Sequence, residues 1–267
     1  MPPLPPDLDI RSFAALEEIV ARLRAPDGCP WDRKQTHASL RRFLIEEAYE
    51  ALAALDEGDP TKLSEELGDV LLQIMLLSQI AAEEGDFTVH DVIEGIAAKL
   101  LRRHPHVFGD VKVKTPEEVV LKWEAIKDEE RGEGRSLLTD VPAAMPALAY
   151  SQSLQERAAG TGFEWPRVED VLAKLSEEVG ELAQAKTREE QREELGDVLW
   201  MLVSLARKLD LDAEESLRLA SRRFRERFTA LEGLVRERGL KLGDLSIDEM
   251  ESLWRETKAP GDRRSNS

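Results

Sequence analysis

The most constraining feature of the chain is that it repeats itself. The stretch Ser64-Glu65-Glu66-Leu67-Gly68-Asp69-Val70-Leu71 returns as Arg192-Glu193-Glu194-Leu195-Gly196-Asp197-Val198-Leu199. Upstream of the first copy lies Glu46-Glu47-Ala48-Tyr49-Glu50; upstream of the second lies Glu177-Glu178-Val179-Gly180-Glu181. Downstream, Lys99 and Arg103 stand four apart, as do Arg223 and Arg227, and then Trp123 precedes Lys127 by four, as Trp254 precedes Lys258. Features that recur in one order at one long interval mark a tandem duplication, so the chain must fold as two versions of one unit. The boundary is expected in the polar stretch Asp128–Ser136. That gives an N-terminal domain of residues 1–130 and a C-terminal domain of residues 131–267, with 259–267 read as a disordered tail. A length of 267 residues suits two cores.

Each copy reads as helix. Phe13, Leu16, Ile19, Val20 and Leu23 follow the i, i+3, i+4, i+7 spacing, and so do Leu44, Ala48, Ala51, Leu52 and Leu55. Alternating strand-like runs are scarce, and Gly58-Asp59-Pro60, Glu84-Gly85-Asp86 and His104-Pro105 punctuate the helices. The expected fold class is all-α, a tandem pair of helical bundles.

Charge narrows the function classes. With 37 basic and 54 acidic residues the net charge is −17. A nucleic-acid binder needs a basic face to track phosphates, so that class is excluded as a partner. The single cysteine, Cys29, cannot close an intramolecular disulfide. The N-terminal run Met1-Pro2-Pro3-Leu4-Pro5-Pro6-Asp7 lacks the pattern of a signal peptide, and the longest apolar runs are far shorter than the roughly 20 residues that span a bilayer. The expectation is a cytoplasmic protein with no membrane partner.

The chemistry lies in the acids. In each copy two carboxylates stand three apart on one helix, Glu47 with Glu50 and Glu178 with Glu181. Two more stand three apart on the next, Glu66 with Asp69 and Glu194 with Asp197. Residues three apart share a helix face, and a short connection makes successive helices antiparallel neighbours, so the two pairs can converge. An isolated pair of this kind is usually a solvated face. Here the second helix is apolar nearly all round (Leu63, Leu67, Val70, Leu71, Leu72, Ile74, Met75 and Leu77 in the first copy), which predicts that it is buried and that its acids face a cleft. Four carboxylates in one cleft require protonation or a cation, and oxygen-only ligands suit Mg²⁺, with Mn²⁺ as the alternative. A di-iron bundle would need E-x-x-H, which is absent. His104 and His106 flank Pro105 and read as cap or surface residues.

Basic and aromatic residues extend the pattern. Lys99 with Arg103 and Arg223 with Arg227 share helix faces, and Lys174 stands four before Glu178. They read either as solvated helix faces or as phosphate ligands; Trp123 and Trp254 read either as packing residues or as covers for a base. No G-x-x-x-x-G-K-[ST] phosphate loop is present.

These motifs in duplicate, together with Cys29-Pro30-Trp31-Asp32, Gln35-Thr36-His37 and Arg102-Arg103-His104-Pro105-His106-Val107-Phe108, resemble the MazG family of nucleoside triphosphate pyrophosphohydrolases across Phe13 to Lys258. The resemblance implies a helical bundle per half, a homodimer, and Mg²⁺-dependent cleavage of a nucleoside triphosphate to monophosphate and pyrophosphate, in the service of removing aberrant or excess nucleotides. It implies that Glu178, Glu181, Glu194 and Asp197 hold metal and carry catalysis in the C-terminal half, with Lys174, Arg223, Arg227, Trp254 and Lys258 on the nucleotide. The N-terminal counterparts are Glu47, Glu50, Glu66 and Asp69, with Lys99, Arg103, Trp123 and Lys127. Glu46, Glu65, Glu177 and Glu193 are candidate water-orienting bases. The halves differ: Lys62 matches Glu190, and Phe43 takes the place of Lys174, with the C-terminal site favoured. Alternatives are a narrow-substrate relative (dUTP, dCTP or phosphoribosyl-ATP) and a non-catalytic helical scaffold or nucleotide sensor.

Overall fold

A computed structural model of the protein describes residues 9–115, 118–119, 122–123, 126, 130 and 136–257. Lys127, Lys258, the tail 259–267 and most of Asp128–Ser136 lie outside the described residues. The chain divides into two compact units, Met1–Ile126 and Lys127–Ser267. Among the described residues every regular element is helical. The N-terminal unit contains α1 (Phe13–Arg24), α2 (His37–Glu57), α3 (Pro60–Glu84), α4 (Val89–Arg103) and the single turn α5 (Pro105–Phe108). The C-terminal unit contains α6 (Ala147–Ala159), α7 (Val168–Gln184), α8 (Arg188–Lys208), α9 (Ala213–Glu237) and α10 (Ile247–Glu256). No helix among the described residues is long and apolar enough to cross a membrane.

The centre of each unit is a helical hairpin, α2 with α3 and α7 with α8. Three consecutive residues make the first hairpin turn. Gly58 ends α2 in the left-handed conformation at φ +67, where a side chain would be strained. The Asp59 carboxylate accepts from the amides of Thr61 and Lys62 at 2.9 and 3.2 Å, and Pro60 occupies the first turn of α3, where no amide is needed. The second hairpin uses a capping box. The Thr187 hydroxyl accepts from the Glu190 amide at 3.1 Å, and the Glu190 carboxylate accepts from the amides of Lys186 and Thr187 at 2.7 and 3.1 Å. Glu190, the counterpart of Lys62, therefore starts a helix; Lys62 itself pairs with Glu57 at 3.0 Å.

Apolar side chains close the units around these hairpins. Val20, Leu40, Met75, Leu76, Ile80 and Val89 form the N-terminal core, drawn from α1 to α4. Leu231, Val235 and Leu253 join α9 to α10, with Trp254 packed against them. The contact of α6 with α8 includes a buried polar pair: the Ser204 hydroxyl donates to Gln155 Oε1 at 2.9 Å, and Gln155 Nε2 donates to the Trp200 carbonyl at 3.0 Å.

The second helix of each hairpin differs from expectation. It is not buried all round: Leu67 and Ile74 on α3, and Leu195, Leu199, Trp200 and Leu202 on α8, are exposed within one chain. A hairpin partner and two further helices cover only part of such a surface.

A charged staple ties the segment before each hairpin to the far end of its second helix. In the N-terminal unit Arg24, at the end of α1, pairs with Glu83 at 2.8 Å and donates to the carbonyls of Asp32 and Gln35. In the C-terminal unit the polarity is reversed. Glu164, in the loop before α7, is held by Arg207 in a two-pronged pair and by Lys208 at 3.3 Å. The Arg207 guanidinium foremost, with Lys208, pulls the Glu164 carboxyl down to about 2 from its ordinary 4.5. A lowered folded-state pKa adds stability above the unfolded value, lost as pH falls through the folded one. Glu164→Gln is expected to cost about 1 kcal/mol near neutral pH. That cost should shrink between pH 4.5 and about 2, as read by chemical denaturation of variant and wild type across pH.

Candidate metal centre

The hairpin geometry brings acids from two helices to one place, twice. Carboxylate oxygens of Glu47 on α2 and of Glu66 and Asp69 on α3 lie within 4.8 Å of one another. So do those of Glu178 on α7 and of Glu194 and Asp197 on α8. Antiparallel helices joined by a short turn, with each acid pair three residues apart, produce this meeting directly. Glu50 and Glu181 stand just outside the groups of three. Glu50 shares a hydrogen bond with Glu47, and the charge of Glu181 is felt by Glu194.

Crowding is visible in the proton affinities. Loss of solvent foremost, then the hydrogen bond with Glu50 and the charge of Asp69, pushes the Glu47 carboxyl above its usual range. Loss of solvent, then Glu181, Glu178 and Asp197, does the same to Glu194. The C-terminal cluster carries a counter-charge on its first helix, where the N-terminal copy has a phenylalanine at the matching position. Lys174, one turn before Glu178 on α7, meets it at 2.9 Å and Glu177 at 2.8 Å, and the two carboxylates raise the lysine pKa. Glu178 is itself buried, at 7% exposure. At the matching place in α2, Phe43 packs its ring instead against Trp31 and beneath Arg42.

The candidate water-orienting bases lie outside the two groups of three. Glu177 is occupied by Lys174, and Glu46, Glu65 and Glu193 are exposed. Among the basic residues, Arg227 donates to the Trp254 carbonyl at 3.0 Å and lies 4.0 Å above the indole ring, while Arg223 is exposed on the same helix. Trp254 also contacts Phe224 and the α9–α10 core. In the N-terminal unit Lys99 is exposed on α4, Arg103 is half-buried at its end, and Trp123 lies 6.0 Å from the His104 ring. His104 caps α4, its Nδ1 at 2.8 Å from the Leu100 carbonyl. Sequence spacing missed the staples and the Lys174–Glu177 pair; the latter was legible as a lysine three before a glutamate on one helix face.

An all-oxygen set of three carboxylates, with a fourth beside it, fits a hard divalent cation. Oxygens on opposite sides of an octahedral Mg²⁺ lie about 4.2 Å apart, so a spread of 4.8 Å needs only small side-chain rotations.

Comparison with known proteins covers both hairpins. The model of the MazG nucleotide pyrophosphohydrolase domain matches twice, over residues 35–108 and 167–230, each span containing one carboxylate cluster. The nucleoside triphosphate pyrophosphohydrolase/pyrophosphatase MazG of Thermotoga maritima is 45% identical over 247 residues, 92% of this chain and 95% of that one. The nucleoside triphosphate pyrophosphohydrolase of Escherichia coli K12 is 41% identical over 252 residues, 90% of this chain and 94% of that one. The crystal structure of a mazG-related protein from Thermotoga maritima is similar over 43% of this chain and 98% of that chain, at 28% identity and a TM-score of 0.39. With both halves matched and relatives aligned over nearly their whole lengths, the chain belongs to the MazG family of nucleotide pyrophosphohydrolases, hydrolases of phosphoric anhydrides.

Proposed function

We propose that the protein hydrolyses nucleoside triphosphates to the monophosphate and pyrophosphate with Mg²⁺ held by its carboxylate clusters, the C-terminal cluster being the principal centre. The observation that carries this reading is the meeting of Glu178, Glu194 and Asp197 within 4.8 Å, with Glu181 beside them. A bound Mg²⁺ would supply neutralisation of the triphosphate and polarisation of the scissile anhydride. The protein's own side chains do the rest. Glu178, Glu181, Glu194 and Asp197 form the anionic floor that selects a metal–nucleotide complex over free nucleotide. Lys174 neutralises Glu178 and Glu177 in the resting state and would hold the phosphates of a bound nucleotide. Arg223 and Arg227 lie one turn apart on α9 and meet the departing pyrophosphate, with Trp254 stacked under Arg227 to hold its guanidinium. The N-terminal cluster of Glu47, Glu50, Glu66 and Asp69, with Lys99 and Arg103, repeats the plan.

The relatives' printed names support the nucleoside triphosphate as substrate, and removal of unwanted nucleotides in the cytoplasm is the role this reading assigns. The working form is a homodimer. On α4, Val92, Ile93, Ile96, Leu100 and Leu101 are 38–53% exposed, a continuous apolar face of the kind that marks a protein interface. Ile96→Glu is expected to halve the mass measured by sedimentation equilibrium; an unchanged mass would place the interface elsewhere.

Activity gives the direct test. Incubation with Mg²⁺ and nucleoside triphosphates is expected to release pyrophosphate and no orthophosphate. Glu178→Ala should lower turnover by roughly a hundredfold or more, since loss of even an outer-sphere partner costs about 10–100-fold. If Glu178→Ala combined with Glu47→Ala left turnover intact, the assigned clusters would not be the site. Stability gives an independent test. Because Glu47 and Glu194 hold protons more tightly when folded, the metal-free protein loses stability as pH rises above the ordinary carboxylate value of 4.5. Mg²⁺ should therefore raise Tm by several degrees more at pH 8 than at pH 5, as read by scanning calorimetry.

A further inference from the structure

The N-terminal unit carries a recess beside its hairpin. About 580 Å³ in volume, it is lined by Trp31, Gln35, Ser39, Arg41, Arg42 and Phe43 at the start of α2. Ser39, Phe43 and Glu47 are spaced four apart on one ridge of that helix. At 1.5 Å per residue, the recess begins about 6 Å from the carboxylate cluster and extends to about 12 Å. A nucleotide with its phosphates at the cluster can lay its base there.

The lining decides which base. Trp31 is 54% exposed and meets Phe43 edge to face at 5.8 Å, so the aromatic pair keeps open ring surface for stacking. Two polar groups are already used to hold the shape: the Ser39 hydroxyl donates to Gln35 Oε1 at 2.7 Å, and Gln35 Nε2 donates to the Trp31 carbonyl at 3.2 Å. The Arg24 staple fixes the same loop through the carbonyls of Asp32 and Gln35. Arg41 and Arg42 remain; both are exposed, Arg42 lies 4.5 Å above the Phe43 ring, and neither pairs with a carboxylate of the described residues. A guanidinium only donates. It matches a base edge with two adjacent acceptors, the O6 and N7 of guanine or hypoxanthine, whereas adenine offers an amino donor beside N7. In the C-terminal half the positions matching Ser39, Arg41, Arg42 and Phe43 are Asp170, Leu172, Ala173 and Lys174, which cannot build such a site.

We propose that this recess takes the base of a 6-oxopurine nucleotide whose phosphates lie at the Glu47–Glu66–Asp69 cluster, so that the two halves differ in base preference. The inference rests on the metal–phosphate reading of that cluster. To isolate the N-terminal site, the full chain carrying Glu178→Gln and Asp197→Asn is titrated calorimetrically with α,β-methylene analogues of GTP, ITP and ATP, with and without Mg²⁺. The GTP and ITP analogues are expected to bind roughly tenfold more tightly than the ATP analogue. Adding Arg41→Ala and Arg42→Ala should abolish that preference, and adding Trp31→Ala should weaken all three alike; these side chains are exposed, and circular dichroism checks the fold. Mg²⁺-dependent binding with no base preference, or with a preference indifferent to the arginines, would overturn the recess and leave the cluster standing. A preference that persists unchanged without Mg²⁺ would overturn the cluster reading and leave the recess. Absence of binding would overturn both.

Discussion

Like charges held closer together than water would allow are the constraint on which the rest depends. Each hairpin forces three carboxylates within 4.8 Å, with a fourth alongside. At that range a single pair of charges costs about 3–4 kcal/mol at an effective dielectric of 20. The helices do not choose this arrangement for their own stability. It is imposed by the apolar packing of α2 on α3 and of α7 on α8, and by tight turns that leave no slack in register. Such a site is stable only with a proton, a lysine or a metal ion to offset its charge.

The two copies meet the same repulsion differently. In the N-terminal unit Glu47 answers by holding a proton more tightly, helped by its hydrogen bond with Glu50. In the C-terminal unit Lys174 lies across Glu177 and Glu178. The exchange of Phe43 for Lys174 thus alters both electrostatics and shape. It removes a cation from one cluster and builds, next to it, the aromatic wall of a recess.

Much of this was legible in the sequence because duplication tests itself. A three-residue spacing of acids means little alone, but its return with the same neighbours distinguished it from a solvated face. The helices and their punctuation at Gly58-Asp59-Pro60 follow from local chemistry, and so they were readable. What escaped was non-local. The Arg24–Glu83 and Glu164–Arg207 staples join residues 59 and 43 apart with no periodic signature. Glu190 looked like a missing base, although Thr187-Arg188-Glu189-Glu190 is a capping-box pattern. The expectation of a fully buried second helix erred because apolar periodicity reports that a face is covered, not that the same chain covers it.

The ion pair at Lys174 bears on how the C-terminal pocket stays assembled by itself. A resident ammonium offsets part of the repulsion around Glu177 and Glu178 from within the fold. Phe43 at the matching place brings no charge, and the N-terminal cluster leans on the proton affinity of Glu47. Two sites descended from one ancestor thus carry their surplus charge by different means, one with a built-in cation and both with reluctant carboxyls.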